Sequence, residues 1–193
     1  KRYKVILAAG ISNVYKDTPQ RLLKFVEAGG ILIIARSFMH KDEYGHPLTW
    51  GNNALNFKIR ENKNAATRKI NFKFPTSDIF TGIPKGRNTV DITAGADWQI
   101  LASCGGTPAL LKKKAGKGII YVITPEMRDY SIASLLIPIL KRHGISPKIQ
   151  VLRAKEKDLA VNVELHYAEH NGVTLCFLAN HDLYPKLIFL RSP

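Results

Sequence analysis

The sequence is poor in cysteine and contains no long apolar run. Its 193 residues include two cysteines, Cys104 and Cys176, which are too few for a disulfide framework and show no paired metal-ligand spacing. Every apolar run is far shorter than the roughly 20 residues that a bilayer span requires. A disulfide-stapled module and a membrane-spanning helix are therefore excluded, while the cellular compartment is left open.

The first residue is Lys1, and the chain opens without the charged and apolar segments of a secretory leader. Since the first residue is not methionine, we expect the chain to be a piece of a longer protein. The missing leader then says nothing about the location of the parent.

Acidic residues are scarce relative to basic ones. The chain has 29 Lys and Arg residues against 15 Asp and Glu residues, for a formal net charge of +14, and so basic a balance raises nucleic acid as a partner. The basic residues are nevertheless spread along the chain, and the one tight cluster, Lys112-Lys113-Lys114 with Lys117, is predicted to lie in a hairpin turn. No nucleic-acid motif accompanies it. A solvated basic surface is the preferred interpretation, with a basic nucleic-acid-binding module as an alternative.

The clearest signal is a β-α-β unit near the start. The apolar run Val5–Ala8 leads into an amphipathic stretch, Thr18–Ala28, and then into a second apolar run, Ile31–Ala35. Thr18 is predicted to cap the helix, which ends where Gly29 permits a left-handed residue. Because strands without polar alternation are buried on both faces, the unit predicts a parallel sheet covered by helices, an α/β fold.

The rest of the chain predicts further elements around a long polar loop, residues 37–75. These are short strands at 89–94 and 99–102, a hairpin over 109–123, a second helix from Asp129 or Ser131 to His143 that contains Pro138, and an antiparallel tail over 161–190 turning at Asn171-Gly172. They divide the chain into an α/β domain, residues 1–147, and a small antiparallel β subdomain, residues 148–193, which is expected to be truncated.

Cys104 is the one candidate nucleophile. A thiol on a sharp turn after a strand is how several hydrolases present their attacking group. Here, however, Gly105-Gly106 and another strand are predicted to follow, so no helix N-terminus lowers the thiol pKa. Cys104 is interpreted as a small, partly buried residue, with a hydrolase or amidotransferase acting through Cys104 as an alternative. Cys176 is interpreted as structural.

The segment from His40 to His46 is the one candidate metal site. It places two imidazoles and the carboxylates of Asp42 and Glu43 within seven residues, but it lacks helical ligand spacing and a third fixed ligand. Polar loop residues are the preferred interpretation, and adjacent acids that point apart make a poor acid/base pair. His166, His170 and His181 are predicted to face solvent. No glycine-rich phosphate loop follows the first strand, so no metal, cofactor-binding or catalytic residue is assigned.

Several segments together resemble a known family. They resemble the class I glutamine amidotransferase-like domain of family 42 glycoside hydrolases, the β-galactosidases, where it follows the catalytic barrel and helps to form a trimer. The resembling segments are Tyr3–Ala8, Leu22–Gly30, Asp42–Pro47, Gly106–Leu110, Ala115–Val122 and Cys176–His181. The resemblance covers most of the chain, and the final strands resemble the start of the small β domain that ends such enzymes.

The resemblance implies a flavodoxin-like fold that has lost the amidotransferase Cys-His-Glu site. It also implies a non-catalytic accessory and assembly domain of a larger carbohydrate-active enzyme. The partners of such a domain are the other domains of the parent enzyme, and the role is compatible with self-association. No catalytic barrel is present, so no catalytic residue can be transferred to this chain.

Overall fold

The structure is a computed structural model that divides into two compact units. It describes residues 3–35, 39, 41–49, 55–62, 66–73, 85–87, 90–127, 129–146, 150–153, 163–180 and 188–191. The first unit is Lys1–Pro75 with Ile83–Ser131, and the second is Thr76–Gly82 with Ile132–Pro193. The predicted domain boundary at residues 147 and 148 stays a prediction.

The first unit contains one helix and nine strands among its described residues. The helix is α1 (Thr18–Glu27), and the strands are β1 (Val5–Ala9), β2 (Ile31–Ala35), β3 (Phe57–Glu61), β4 (Thr67–Phe72), β5 (Lys85–Arg87), β6 (Val90–Ala94), β7 (Gln99–Cys104), β8 (Thr107–Ala115) and β9 (Gly118–Ile123). Seven of them form a sheet in the order β1-β2-β9-β8-β7-β4-β5, and β3 pairs with β6 as a separate antiparallel ribbon.

The predicted β-α-β unit is confirmed. Strands β1 and β2 pair in parallel, with Val5 opposite Ile31, and β2 pairs in parallel with β9. Helix α1 begins at Thr18 itself, with Asp17 in the capping position, and the chain leaves it through Gly29 at φ 97°. A left-handed residue past the helix end favours glycine because a Cβ would be strained there.

The predicted flavodoxin-like α/β fold, a parallel sheet with flanking helices, is wrong. Strands make up 52% of the described residues, and the sheet is a curled, mixed one, in which β8, β7, β4 and β5 all pair antiparallel to their neighbours. The error lies in the predicted loop over 37–75, where β4 supplies a strand that has one fully buried side chain, Ile70. So polar a strand is recognisable only with its partner, β7, beside it.

One face of the sheet packs on α1 and on the β3–β6 ribbon. The buried apolar side chains of this core are Ala8, Val26, Leu32, Ile34, Met39, Leu55, Ile92, Trp98, Leu111, Ile120 and Val122. Fully burying an aliphatic side chain of this kind stabilises a fold by about 1.5–3 kcal/mol. This layer holds the carboxyl ends of β1 and β2 in place.

The second unit holds most of helix α2 (Asp129–Arg142) and two antiparallel strand pairs. Helix α2 continues through Pro138, so Pro138 does not mark its start. The first pair is β10 (Gln150–Arg153) with β13 (Ile188–Arg191), and the second is β11 (Val163–His170) with β12 (Val173–Asn180). The turn of the second pair, Asn171-Gly172, has two positive φ angles, which confirms the predicted tight hairpin.

Neither helix among the described residues is long and apolar enough to cross a bilayer.

Candidate functional site

Two loops meet at the carboxyl ends of β1 and β2. Residues 10–16 connect β1 to α1, and residues 39 and 41–49 follow β2. These described residues are called the loop platform below. The platform starts directly at the sheet, because the Gly10 N–H donates to the Ala35 carbonyl at 3.0 Å. Ligand sites in sheets with parallel strands are expected at this end.

Backbone hydrogen bonds join the two loops into one unit. The Val14 N–H donates to the Lys41 carbonyl at 3.0 Å, and the Lys41 N–H donates to the Ser12 carbonyl at 3.2 Å. Asn13 lies opposite Lys41 as an isolated parallel bridge. The first loop is therefore held beside the second by the same kind of ladder that holds a sheet together.

Met39 anchors the second loop to the core. Its side chain is 1% exposed and belongs to the main apolar cluster, while its N–H donates to the Ile11 carbonyl at 3.2 Å. Its φ of 49° is unusual for a residue with a long side chain. A positive φ at a residue other than glycine costs conformational energy, and the burial of the Met39 side chain offsets that cost.

Asp42 shapes the tip of the second loop. Its Oδ1 accepts hydrogen bonds from the Tyr44 N–H at 2.9 Å and the His46 N–H at 2.8 Å, and its Oδ2 lies 3.2 Å from Nδ1 of His46. Gly45, at φ 87°, completes the turn by donating to the Asp42 carbonyl. One carboxylate thus satisfies three donors, an arrangement typical of an Asx turn.

The hydrogen bonds of this turn change the acidity of Asp42. Burial by itself would raise the pKa of its carboxyl group, but the N–H groups of His46 and Tyr44 and the His46 ring outweigh burial and lower that pKa below 3.8. Asp42 is therefore ionised at neutral pH.

The Asp42 turn is expected to open in acid. Because the folded pKa lies below the unfolded one, the stabilisation by Asp42 is complete above its ordinary pKa of 3.8 and is lost as the pH falls through the folded value. The amide proton shifts of Tyr44 and His46, followed by NMR, are expected to titrate together below that value. In the Asp42→Asn control these amide shifts are expected not to titrate below pH 3.8. A wild-type midpoint at or above pH 3.8 would contradict the lowered pKa of Asp42.

Glu43 points away from Asp42, as predicted for adjacent acids. Its Oε2 accepts from the Lys16 N–H at 3.0 Å, which ties the tip of the second loop to the end of the first. The residues next to this bond, Tyr15 and Tyr44, are 71% and 80% exposed. The platform therefore presents two exposed aromatic side chains from a hydrogen-bonded base.

The predicted metal segment is brought together only in part. Asp42 and His46 form a pair, whereas Glu43 is bound to Lys16, and His40 lies outside the described residues. No group of three or more His, Cys, Asp or Glu side chains suited to a metal occurs in the described part of the chain. The paired groups form the Asp42 turn, and the interpretation of the segment as polar loop residues stays a prediction.

Cys104 ends β7 in a hairpin and not in a nucleophile elbow. The turn Gly105-Gly106 leads directly into β8. The thiol is 2% exposed, and its Sγ lies 3.7 Å from the Arg68 carbonyl and 3.5 Å from the Gly86 carbonyl. Burial raises the pKa of the Cys104 thiol. At neutral pH the group therefore remains a thiol, which is less nucleophilic than the thiolate.

Alkylation tests the thiol alternative. We expect iodoacetamide at neutral pH to label Cys104 in the native chain far more slowly than in the urea-unfolded chain, because the buried thiol is neutral and unreachable. A Cys176→Ser variant leaves Cys104 as the sole thiol, so the two rates can be compared by mass spectrometry. Native labelling as fast as unfolded labelling would restore the hydrolase hypothesis.

The basic cluster lies within a strand for three of its members, Lys112, Lys113 and Lys114, while Lys117 lies in the predicted turn. Strand β8 continues to Ala115, so Lys113 points to the opposite face from Lys112 and Lys114. The Lys113 ammonium lies 2.6 Å from the Asp97 carboxylate and 3.3 Å from the Leu55 carbonyl. Its charge is thereby engaged inside the fold, which leaves a smaller basic patch than the sequence indicates.

The remaining candidates fall in the second unit. His166 and His170 are exposed as predicted, and Nε2 of His166 lies 2.7 Å from the Glu164 carboxylate. Cys176 is half-buried within β12, and His181 lies outside the described residues.

Comparisons with known proteins give the fold a precedent. No protein-family model and no curated protein matches the sequence. The structure is similar to a β-galactosidase from Bacillus circulans sp. alkalophilus, with a TM-score of 0.70 and 20% identity over 93% of this chain and 27% of that one.

Two further solved structures show the same similarity. A cold-adapted β-galactosidase from Rahnella sp. R3 has a TM-score of 0.71 and 16% identity over 99% of this chain and 32% of that chain. A catalytic mutant of Gan42B, a GH42 β-galactosidase from G. stearothermophilus, has a TM-score of 0.68 and 16% identity over 93% of this chain and 26% of that chain. The chain thus spans about a quarter to a third of the length of these enzymes and has the fold of that part of them.

Proposed function

We propose that this chain is a non-catalytic accessory and assembly domain of a larger glycoside hydrolase related to the GH42 β-galactosidases. The observation that carries the proposal is the asymmetry of the structural match. The similarity extends over 93–99% of this chain but over only 26–32% of the enzymes, as expected of one domain of a multidomain protein.

The chemistry of the two acids on the loop platform supports a non-catalytic role for that site. Glycoside hydrolysis uses a pair of carboxyl groups, one of which has a raised pKa and donates a proton. On the loop platform, Asp42 has a lowered pKa and is occupied by the turn, and Glu43 is bound to the Lys16 N–H. Neither is available as a general acid.

An exposed apolar face on the hairpin of the second unit supports an assembly role. Val173, Leu175 and Phe177 alternate along β12 and so lie on one face, where they are 66%, 55% and 57% exposed. A two-stranded hairpin is marginal in water by itself. Covering this face with another part of the parent enzyme would remove apolar area from water.

A turnover assay tests the non-catalytic half of the proposal. The purified 193-residue chain is expected to release no nitrophenol from aryl β-galactosides. Turnover that follows the chain through purification, and that a Glu43→Gln variant abolishes, would contradict it.

Charge substitutions test the assembly half in the full-length parent. Leu175→Glu combined with Phe177→Glu is expected to reduce the sedimentation coefficient or the stability of the parent, because two carboxylates would have to be desolvated at the contact. Thr174→Glu, on the opposite face of the same strand, is the matched control. If the double variant behaves like this control, the hairpin face is not an assembly surface.

A further inference from the structure

We propose that the loop platform binds a neutral hexopyranose sugar, which stacks on Tyr15 and Tyr44. This inference concerns a ligand site and goes beyond the proposed accessory role. That role guides only the choice of a galactoside as probe. The two rings are among the most exposed large side chains described in the chain, and their placement, polarity and surroundings favour a sugar.

The placement of the two tyrosines is determined by the backbone. Tyr15 precedes Lys16 and Tyr44 follows Glu43, so the two tyrosines flank the 3.0 Å hydrogen bond between the Lys16 N–H and the Glu43 carboxylate. The ladder between the loops and the Asp42 turn hold both segments. A site whose backbone is already ordered loses little further entropy on binding.

The polarity of the tyrosine side chain suits a pyranose. The ring face carries negative charge density and attracts the C–H bonds on the apolar face of a sugar, while the phenol hydroxyl remains able to pair with a sugar hydroxyl. A tyrosine side chain supplies a large contact area at a low cost in conformational entropy, which makes an exposed tyrosine an effective binding group.

His46 adds a hydrogen-bonding group beside Tyr44. The two rings lie 6.3 Å apart at an interplanar angle of 44°. Because the Asp42 carboxylate can only accept, the proton of the neutral imidazole is assigned to Nδ1, which leaves Nε2 as an acceptor. The side chain is 76% exposed, so a ligand hydroxyl can reach Nε2.

The charge of the platform favours a neutral ligand. Its described residues include two lysines, Lys16 and Lys41, and two acids, Asp42 and Glu43, although the whole chain carries a net charge of +14. An anion would therefore find no excess of positive charge on these residues. The two rings also present far less than the roughly 800 Å² per partner that a stable protein interface buries.

Titration with methyl β-galactoside, followed by NMR of the purified chain, tests the inference. We expect amide shifts at residues 15, 16 and 43–46 with a dissociation constant of about 1 mM. Tyr44→Ala and Tyr15→Ala are each expected to weaken binding about tenfold, because each removes one stacking surface. Tyr3→Ala, which removes an exposed tyrosine outside the platform, is the matched control and is expected to leave affinity unchanged.

Two results would overturn the inference. The first is the absence of sugar-dependent shifts in a wild-type chain whose spectrum shows it to be folded. The second is binding that Tyr3→Ala weakens as much as the platform variants do. Neither result bears on the accessory role, which the turnover and sedimentation measurements test separately.

Discussion

Trp98→Ala is expected to lower the free energy of unfolding of the first unit by about 3–5 kcal/mol, the range for truncating a large aromatic side chain in a core. Trp98 is 7% exposed and lies in the main apolar cluster. Its indole N–H donates to the Leu55 carbonyl at 2.5 Å, and the Lys113 ammonium lies 5.7 Å from its ring centroid. Alanine would leave a cavity and remove both contacts.

The hydrogen bonds around Trp98 increase the expected loss. Lys113 shares the Leu55 carbonyl and binds Asp97, and this ion pair lowers the pKa of Asp97. Asn56 also donates to Asp97, at 3.2 Å. Without the indole, Lys113 is the remaining described side-chain donor to the Leu55 carbonyl, and its position over the ring is lost.

Urea unfolding followed by circular dichroism measures the effect of Trp98→Ala. Trp98→Phe is the matched control, because it keeps most of the ring volume and removes the N–H. Trp98→Phe is expected to lower the free energy of unfolding by about 1–3 kcal/mol, because the Leu55 carbonyl loses the indole N–H as a donor. If the two variants lost the same free energy, the hydrogen bond and not the packing would be the main contribution of Trp98.

Gly118→Ala is expected to cost about 3 kcal/mol or to prevent folding, at or beyond the upper end for overpacking a tight site. A Cβ at Gly118 would overlap the carbonyl oxygens of Val26 and Gly30. Both are backbone atoms at the end of α1, where the Ile119 N–H also donates to the Gly30 carbonyl at 3.2 Å. Neither carbonyl can move without shifting the helix against the sheet.

Gly106→Ala is the matched control for this close approach. Gly106 has a φ of 88° but open space around the Cβ position, so its expected cost is the backbone strain alone, about 1–2 kcal/mol. Gly118 lacks a positive φ, so its cost is steric. Thermal unfolding of the two variants separates the two causes, and a smaller loss in Gly118→Ala than in Gly106→Ala would contradict the packing seen at the end of α1.

Patterns that depend on neighbouring residues were predictable from the sequence. The run Ile31–Ala35 and the glycines after α1 predict the β-α-β unit, and Asn171-Gly172 predicts the hairpin of the second unit. The Asp42 turn is likewise local, since its bonds span two and four residues. An Asp followed three residues later by Gly is a turn signal, so Asp42 and Gly45 could have predicted this turn from the sequence.

Features that depend on distant residues were not predictable. Strand β4 pairs with β7 more than 30 residues away, with Ile70 opposite Cys104, and nothing within Thr67–Phe72 indicates that partner. The partial burial of the Lys113 ammonium similarly depends on Asp97, which lies between β6 and β7, and on Leu55, which precedes β3. By sequence, Lys113 is one of three equivalent lysines.

The sequence by itself determined the secondary elements with strong periodicity, the tight turns and the parallel start of the sheet, because each follows from the side chains of one short segment. Only the tertiary structure decided the place of β4 and β5 beside β7, the burial of Cys104, the partial burial of Lys113, and the union of two loops into one platform. The physical reason is that β pairing and burial are set by what lies opposite a residue in space. Tyr15 and Tyr44 flank the Lys16–Glu43 hydrogen bond only because the two loops are joined in this way.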